Sequence, residues 1–148
     1  MSEALDGVLV VDMGGSVATT YCAKLFADYG ATVINLETAQ GFPTRQLRPF
    51  TKGPSCDSAM HGYLNADKKS VRLDFLSDSA VAKILSCADL VLSDGRADLP
   101  EELRLRMDIS WYGESGPYAD FIGTDAQCFA LNGMLRTIGH PEGPPLIP

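Results

Sequence analysis

The segment from Gly7 to Glu37 constrains this chain more than any other, because it reads as one complete β-turn-α-β unit. Val8-Leu9-Val10-Val11 is a short apolar run, as expected of a strand buried on both faces. Asp12-Met13-Gly14-Gly15-Ser16 interrupts it with turn chemistry. From Thr19 to Tyr29, the residues Cys22, Leu25, Phe26 and Tyr29 recur at helical spacing and predict one apolar helix face. Gly30 supplies the left-handed residue that commonly ends a helix. Thr32-Val33-Ile34-Asn35-Leu36 is a second strand, closing on Glu37. Two parallel strands joined by a crossover helix carry the first loop and the helix N-terminus to the carboxyl edge of the sheet, where ligands of such sheets bind.

The remaining pattern continues the same architecture. Thr38 to Asp57 is a long irregular segment rich in Gly and Pro, a length that usually signals function. Ser58 to Leu64 fits a short helix, and Ser70-Val71-Arg72-Leu73-Asp74 alternates like a strand or an extended edge. Ser77 or Ser79 can cap a helix whose apolar face is Val81, Ile84 and Leu85. Leu90-Val91-Leu92 reads as a buried strand closed by Ser93-Asp94-Gly95. Pro100 to Leu105 suits a helical turn, and Met107 to Trp111 another strand. Gly113 to Gly123 is a Gly/Pro loop, after which Thr124 or Asp125 can cap a last helix carrying Phe129, Leu131 and Leu135. The expectation is an α/β fold, a Rossmann-like parallel sheet with flanking helices, built by residues 1–148 as one domain. The closing run Gly143-Pro144-Pro145-Leu146-Ile147-Pro148 reads as the middle of a connection rather than a terminus.

A formal charge of −7 argues against general binding to nucleic acid or to an anionic membrane surface. No apolar run approaches membrane-spanning length, and the start Met1-Ser2-Glu3 is unlike a secretory leader. Cys22, Cys56, Cys87 and Cys128 form no CxxC pair and read as reduced, mostly buried thiols of a cytoplasmic protein. His61 and His140 have no ligand spacing around them, so no metal is expected.

Six of the twelve cations, Arg45, Arg48, Lys52, Lys68, Lys69 and Arg72, crowd into one segment. Such a cluster in an acidic chain suits an anionic, phosphorylated ligand, or else it is a solvated basic loop. Gly14-Gly15-Ser16 opening a helix, with Glu37 ending the next strand, imitates a dinucleotide fingerprint, but GxGxxG is absent. A tight turn plus a strand-capping carboxylate is the better reading, and the turn's N–H groups can still bind a ligand. No Ser/His/Asp arrangement and no GxSxG is present, and Cys22 on a helix face reads as packing.

Together these motifs resemble a specific family. Leu5-Asp6-Gly7-Val8-Leu9-Val10-Val11-Asp12 and Leu25-Phe26-Ala27-Asp28-Tyr29-Gly30-Ala31-Thr32-Val33-Ile34-Asn35-Leu36-Glu37 are similar to the opening of class III CoA-transferases. That group includes formyl-CoA transferase and α-methylacyl-CoA racemase. The resemblance continues through Asn65-Ala66-Asp67-Lys68-Lys69-Ser70-Val71-Arg72-Leu73-Asp74, Ala88 to Leu92, Ile109 to Asp120, Gly123-Thr124-Asp125 and Gly143-Pro144-Pro145. It implies that the chain is an N-terminal domain that binds coenzyme A, in a family whose long chains interlock as dimers. Gly15, Ser16, Val17 and Ala18 would touch the coenzyme, with Lys68 among the cations and Leu73 beside the adenine. Asp94, Gly95 and Arg96 would lie along the pantetheine and phosphates.

The resemblance also implies a chemistry. An aspartate attacks the acyl-CoA thioester, and the acyl group leaves through a mixed anhydride and an aspartyl-CoA thioester. That aspartate follows the Gly-Pro-Pro segment in the family, so no catalytic residue is assigned within 1–148. The chain by itself is therefore expected to be inactive, its partners being acyl-CoA and a carboxylic acid in the complete enzyme. A homo-oligomer or a complementary C-terminal polypeptide is expected to cover its open surface. Thr124 stands where racemases carry a proton-transferring His, which disfavours racemase chemistry. Ala18-Thr19-Thr20 and Ser93-Asp94-Gly95 depart from the family pattern. They keep open a second reading, a non-catalytic CoA-binding or interaction module derived from the family.

Overall fold

The computed structural model describes residues 3–53, 57–75, 77–95, 99–144 and 146. Within it the chain forms two compact units, residues 1–109 and residues 110–148.

The first unit is built on five parallel strands. β1 (Leu9–Asp12) leads through α1 (Val17–Asp28) to β2 (Thr32–Glu37). A 3₁₀ turn (Pro43–Gln46) and α2 (Ala59–Leu64) connect to β3 (Lys69–Arg72). α3 (Asp78–Cys87) then precedes β4 (Leu90–Ser93) and β5 (Arg106–Asp108). The strand order is β3-β2-β1-β4-β5, so the winding direction reverses between β1 and β4. Helices cover both faces because successive strand residues point to opposite sides. Val10, Val33, Leu90 and Leu92 pack with Ala23 of α1 on one side. Val11, Leu36 and Val91 pack with Leu85 and Ala88 of the α3 region on the other. The expected Rossmann-like parallel sheet with flanking helices is thus present, with strand boundaries within two residues of those read from the sequence, except that β5 ends at Asp108, three residues before Trp111.

Helix α1 differs from its sequence pattern in which face it buries. Thr19, Thr20 and Ala23 are buried against the sheet, Cys22 and Phe26 are half-buried, and Leu25 and Tyr29 are exposed. Small residues let the helix backbone approach β1 and β2 closely, and a count of large apolar side chains passes over them. Ser16 caps the helix, its Oγ accepting the Thr19 N–H at 3.1 Å. Gly30 takes φ +98° just beyond the end of the helix, as its type predicts.

Two further expectations are corrected. Pro100 to Leu105 is irregular rather than helical. Leu99 and Leu103 join the second core cluster, while the Leu105 carbonyl accepts the Val91 N–H. Three or four residues of helix there would remove that strand-edge bond. The cysteines are also less buried than expected, with Cys22 and Cys128 half-buried and Cys87 exposed at the end of α3. Cys56 lies outside the described residues.

The second unit is smaller and has little interior. Its helix α4 (Asp125–Leu131) begins in a full capping box, Thr124 with Gln127. No α4 residue is buried, and Leu131 is 74% exposed, so the apolar face read from the sequence has no core to meet within this unit. Tyr118 packs against Tyr112 and Phe121 with ring centroids 6.0 Å and 5.6 Å apart.

The turn after β1 fixes the most demanding backbone in the fold. Gly15 has φ +67°, and a β-carbon there would stand 2.7 Å from Phe42 Cδ1. We expect Gly15→Ala to destabilise the protein by roughly 1–3 kcal/mol, through left-handed strain and the Phe42 clash together. Urea denaturation of both forms checks this, with the loss appearing in the midpoint and not in the slope.

Candidate functional site

The carboxyl edge of the sheet is organised by one carboxylate. Glu37 ends β2 and is 1% exposed. Its Oε2 accepts the Phe42 N–H at 2.8 Å and the Arg45 Nε–H at 2.7 Å. Its Oε1 accepts from Arg45 Nη2 at 2.7 Å and from the Ser70 hydroxyl of β3. Burial pushes this carboxyl up, but the hydrogen bonds from Arg45, Ser70 and Phe42 more than reverse it and hold Glu37 at about 2. Every lone-pair direction facing the loop is occupied. Glu37 is therefore a strand-capping carboxylate, not a free ribose acceptor, as the missing GxGxxG suggested.

The long segment after β2 is thereby drawn over the sheet. Phe42 is 4% exposed and lies against Gly15, and Thr44 is buried with its hydroxyl 2.8 Å from His61 Nδ1 of α2. Asn65, just beyond α2, approaches His61 Nδ1 and donates to the His61 carbonyl at 2.9 Å. Its Oδ1 accepts from Asn35 of β2 at 2.7 Å. Burial and the Arg45 cation both push the His61 imidazole below its ordinary value, which keeps it neutral near pH 7. Its other charged neighbours include Glu37, which acts in the opposite direction.

Under this layer runs a row of polar side chains in the sheet itself. Asp12, Asn35 and Ser70 are registered neighbours across β1, β2 and β3, so they share one face. Lys68, immediately before β3, reaches into that layer. Its Nζ donates to the Thr20 carbonyl at 2.7 Å and to Asn65 Oδ1 at 3.3 Å. Burial lowers the Lys68 ammonium to about 8, against the attraction of Asp12.

These positions sort the residues read from the sequence. Gly15, Ser16, Val17 and Ala18 follow β1, while Asp94 and Gly95 follow β4. The two loops leave adjacent strands on opposite sides of the winding reversal, and such a crevice is where open α/β sheets hold ligands. Leu73 sits apart, at the carboxyl end of β3, half-buried against the second core cluster. Lys68 is half-buried, and its ammonium acts on Asp12 at the end of β1. Arg96 lies outside the described residues. The basic cluster does not converge on one point either, since Arg45 is committed to Glu37 and Arg72 pairs with Asp74. A second recess of about 510 Å³ opens at the carboxyl ends of β2 and β3, lined by Glu37, Ala39, Gln40, Gly41, Arg45, Ser70 and Arg72. Among the described residues, no three His, Cys, Asp or Glu side chains come together as a metal site. No described helix is long and apolar enough to cross a membrane.

Sequence reasoning missed Asp12, Asn35, Phe42 and Asn65. The signal was available in Asn35, a polar residue interrupting an apolar strand, which predicts a buried hydrogen-bond partner.

The chain belongs to CoA-transferase family III, whose family model matches residues 5–148. It is 31% identical over 153 residues to the (R)-2-hydroxy-4-methylpentanoate CoA-transferase of Clostridioides difficile, covering 90% of this chain and 38% of that enzyme. It is 32% identical over 157 residues to the succinyl-CoA:(R)-benzylsuccinate CoA-transferase subunit BbsE of Thauera aromatica, covering 94% of this chain and 38% of that subunit. Among solved structures it is similar to a CAIB/BAIF family protein from Brucella suis, with a TM-score of 0.85 and 25% identity over 99% of this chain and 44% of that one. Rv3272 of Mycobacterium tuberculosis gives a TM-score of 0.76 at 29% identity, over 99% of this chain and 45% of that one. The chain thus spans well under half the length of these relatives.

The Glu37 network has a definite pH signature. A carboxyl lowered in the folded state contributes stability above its unfolded value of 4.5, and loses it as the pH falls toward 2. Glu37→Gln should cost roughly 1–3 kcal/mol at pH 7, discounted for the solvent reaching Arg45. The gap from the wild type should narrow below pH 4.5, as seen by denaturation at stepped pH.

Proposed function

We propose that this chain is the CoA-binding portion of a class III CoA-transferase, an enzyme that moves CoA between an acyl-CoA and a carboxylic acid. The observation that carries this reading is the crevice at the β1/β4 winding reversal, floored by the Gly14–Ser16 turn, in a chain of this family. In this reading Gly15, Ser16, Val17 and Ala18 contact the coenzyme from one side, and Asp94 and Gly95 from the other. The first turn of α1 offers N–H groups and the positive end of the helix dipole to a phosphate or thioester oxygen. Leu73 and the recess beside Arg72 extend the site toward the adenine end. The exposed Lys69 ammonium and Arg72 guanidinium provide positive charge at that edge. Lys68 acts from below, holding α1 to the α2–β3 connection.

The chemistry of the reading is a covalent relay. A carboxylate attacks the thioester carbonyl, CoA thiolate departs, and the resulting anhydride is reopened by that thiolate to free the acyl group as a carboxylate. The acceptor acid then takes the aspartyl carbonyl's place by the reverse sequence. In this reading none of the aspartates in residues 1–148 is the attacking group, and this portion binds CoA without turning over. Assayed alone with acyl-CoA and a carboxylic acid, it should give no transfer while still binding CoA. Steady turnover by the isolated chain would remove that assignment.

A direct test of the crevice uses Val17, which is 47% exposed on the first turn of α1. Val17→Asp leaves the fold intact, because acidic residues stabilise helix N-termini. It places a negative charge where the coenzyme's anionic chain would lie. CoA affinity by titration calorimetry should fall about tenfold or more, equivalent to roughly 1.4 kcal/mol. Unchanged affinity would move the site elsewhere.

We also propose that the chain is not monomeric by itself. Trp111, Tyr118, Phe121, Ile122 and Leu131 of the second unit are between 43% and 78% exposed, more apolar surface than a stable monomer usually shows. Light scattering at micromolar concentration should report a dimer or larger species, or a complex with a complementary polypeptide. A clean monomer would sink this.

A further inference from the structure

Beneath the Gly14–Ser16 turn lies a buried titratable group that the transfer chemistry does not use. Asp12, the last residue of β1, is 0% exposed. Its Oδ1 accepts the Gly14 N–H at 3.0 Å, and the nearby Gly15 N–H favours the charged form. Its Oδ2 has no hydrogen-bond partner among the described residues. Asn35, its registered neighbour on β2, turns its amide N–H to Asn65 and gives Asp12 nothing. Thr20 Oγ1 and Asn35 Oδ1 are likewise buried without partners. An ionised carboxylate is expensive in such a place unless charge or N–H groups hold it.

The charged groups facing Asp12 are few. From the α2–β3 connection comes the Lys68 ammonium, and from the loop after β4 the Asp94 carboxylate. From α1 the Cys22 thiol also senses its charge. Burial raises the Asp12 carboxyl to about 6, with Asp94 adding to the rise and the Gly14 N–H, Lys68 and the Gly15 N–H opposing it. Ionised, the carboxylate is a strong acceptor for the Gly14 N–H, and the Gly15 N–H dipole adds to its stabilisation. Protonated, it accepts more weakly and carries an O–H that needs an acceptor of its own. The structural element that the two states act on is the Gly14–Ser16 turn, through the Gly14 N–H.

We propose that Asp12 is a positioning residue for the Gly14–Ser16 turn, its charge state switching the turn between a held and a released form and so coupling the crevice to pH. The coupling to ligand rests on the CoA-binding reading, whereas the switch in the turn does not. Above the transition the turn is tied to the end of β1, with Gly15 seated on Phe42. Below it the Gly14 N–H loses its charged acceptor, the Gly15 N–H loses the charge it faces, and the turn loosens.

The test reads the turn itself, in the full chain labelled with ¹⁵N-glycine and without ligand. The Gly14 and Gly15 amide signals should titrate together with a midpoint near pH 6. Their hydrogen-exchange protection, corrected for intrinsic rates, should fall on the acid side. Asp12→Asn, which keeps the shape and one acceptor oxygen, should abolish the titration. Signals that stay flat in the wild type, or titrate unchanged in Asp12→Asn, overturn the proposal. If that variant does not fold, Lys68→Met replaces it. Removing the ammonium should move the midpoint upward by about half a unit or more. A midpoint that does not move overturns the proposal. CoA titrated into the wild type at pH 5.5 and 7.5 then separates the two readings. Weaker binding at the lower pH supports the coupling. Absent binding at both, with the amide titration intact, removes the CoA assignment and leaves the switch standing.

Discussion

The carboxylate of Glu37 is the interaction on which the ligand-facing edge depends. A buried charge at the end of a strand is costly, and here it is met by a guanidinium fork, a hydroxyl and a backbone N–H. Those partners come from three places: the loop after β2, the 3₁₀ turn and β3. Satisfying one carboxylate thus fixes where the loop runs, and Phe42 follows because its own N–H is one of the donors. Phe42 then rests on Gly15, so the backbone of the first turn is positioned by a residue some twenty-five places downstream.

The same face of the sheet changes character along its length. Near the amino ends it is apolar, with Val10, Val33 and Leu90 under Ala23. Toward the carboxyl ends it becomes the row Asp12, Asn35 and Ser70, roofed by Asn65, Lys68 and Thr20. Apolar burial holds the layers together and has no directional preference. The polar row is directional: each hydrogen bond in it is made by a particular donor at a particular register. A one-residue slip of β2 against β1 would leave Asn35 and Glu37 on the wrong face. The polar layer therefore secures the register at the end of the sheet where a ligand needs fixed geometry.

Much of the framework was legible because it rests on local signals. The Gly30 stop, the cap candidates at Ser77 or Ser79 and at Thr124 or Asp125 (Ser77 and Thr124 in the structure), and the short apolar strands all declare themselves within a few residues. The buried face of α1 was not legible, since Thr19, Thr20 and Ala23 are small and carry little hydrophobic signal; closeness to the sheet selects them. Pro100 to Leu105 misled for a related reason: its apolar residues answer to a distant cluster rather than to a helical period. The site was legible in part. The turn after β1 could be placed at the sheet's carboxyl edge from topology and the loop after β4 only from the family resemblance, whereas the hydrogen-bond partners of Lys68 and Arg45 could not be read. Spacing along the chain shows that cations are near each other in sequence, but says nothing of which carboxylate each one meets.

That distinction changes how an anion is to be recognised here. A basic cluster in a sequence suggests a bath of positive charge around a phosphate. In the folded chain Arg45 is spent on Glu37 and Lys68 on Thr20 and Asn65, so the two cations best placed by sequence are structural. In the proposed reading the first loop meets the ligand with backbone: the N–H groups of a glycine turn and of the first turn of α1. Recognition by oriented N–H dipoles is short-ranged and geometric, and salt screens it less than exposed charge. An acidic protein of net charge −7 can then hold an anionic ligand without an attractive long-range field. If the crevice binds as proposed, Glu37 and Arg45 serve the ligand without touching it, because through Phe42 they set the shape of the backbone turn.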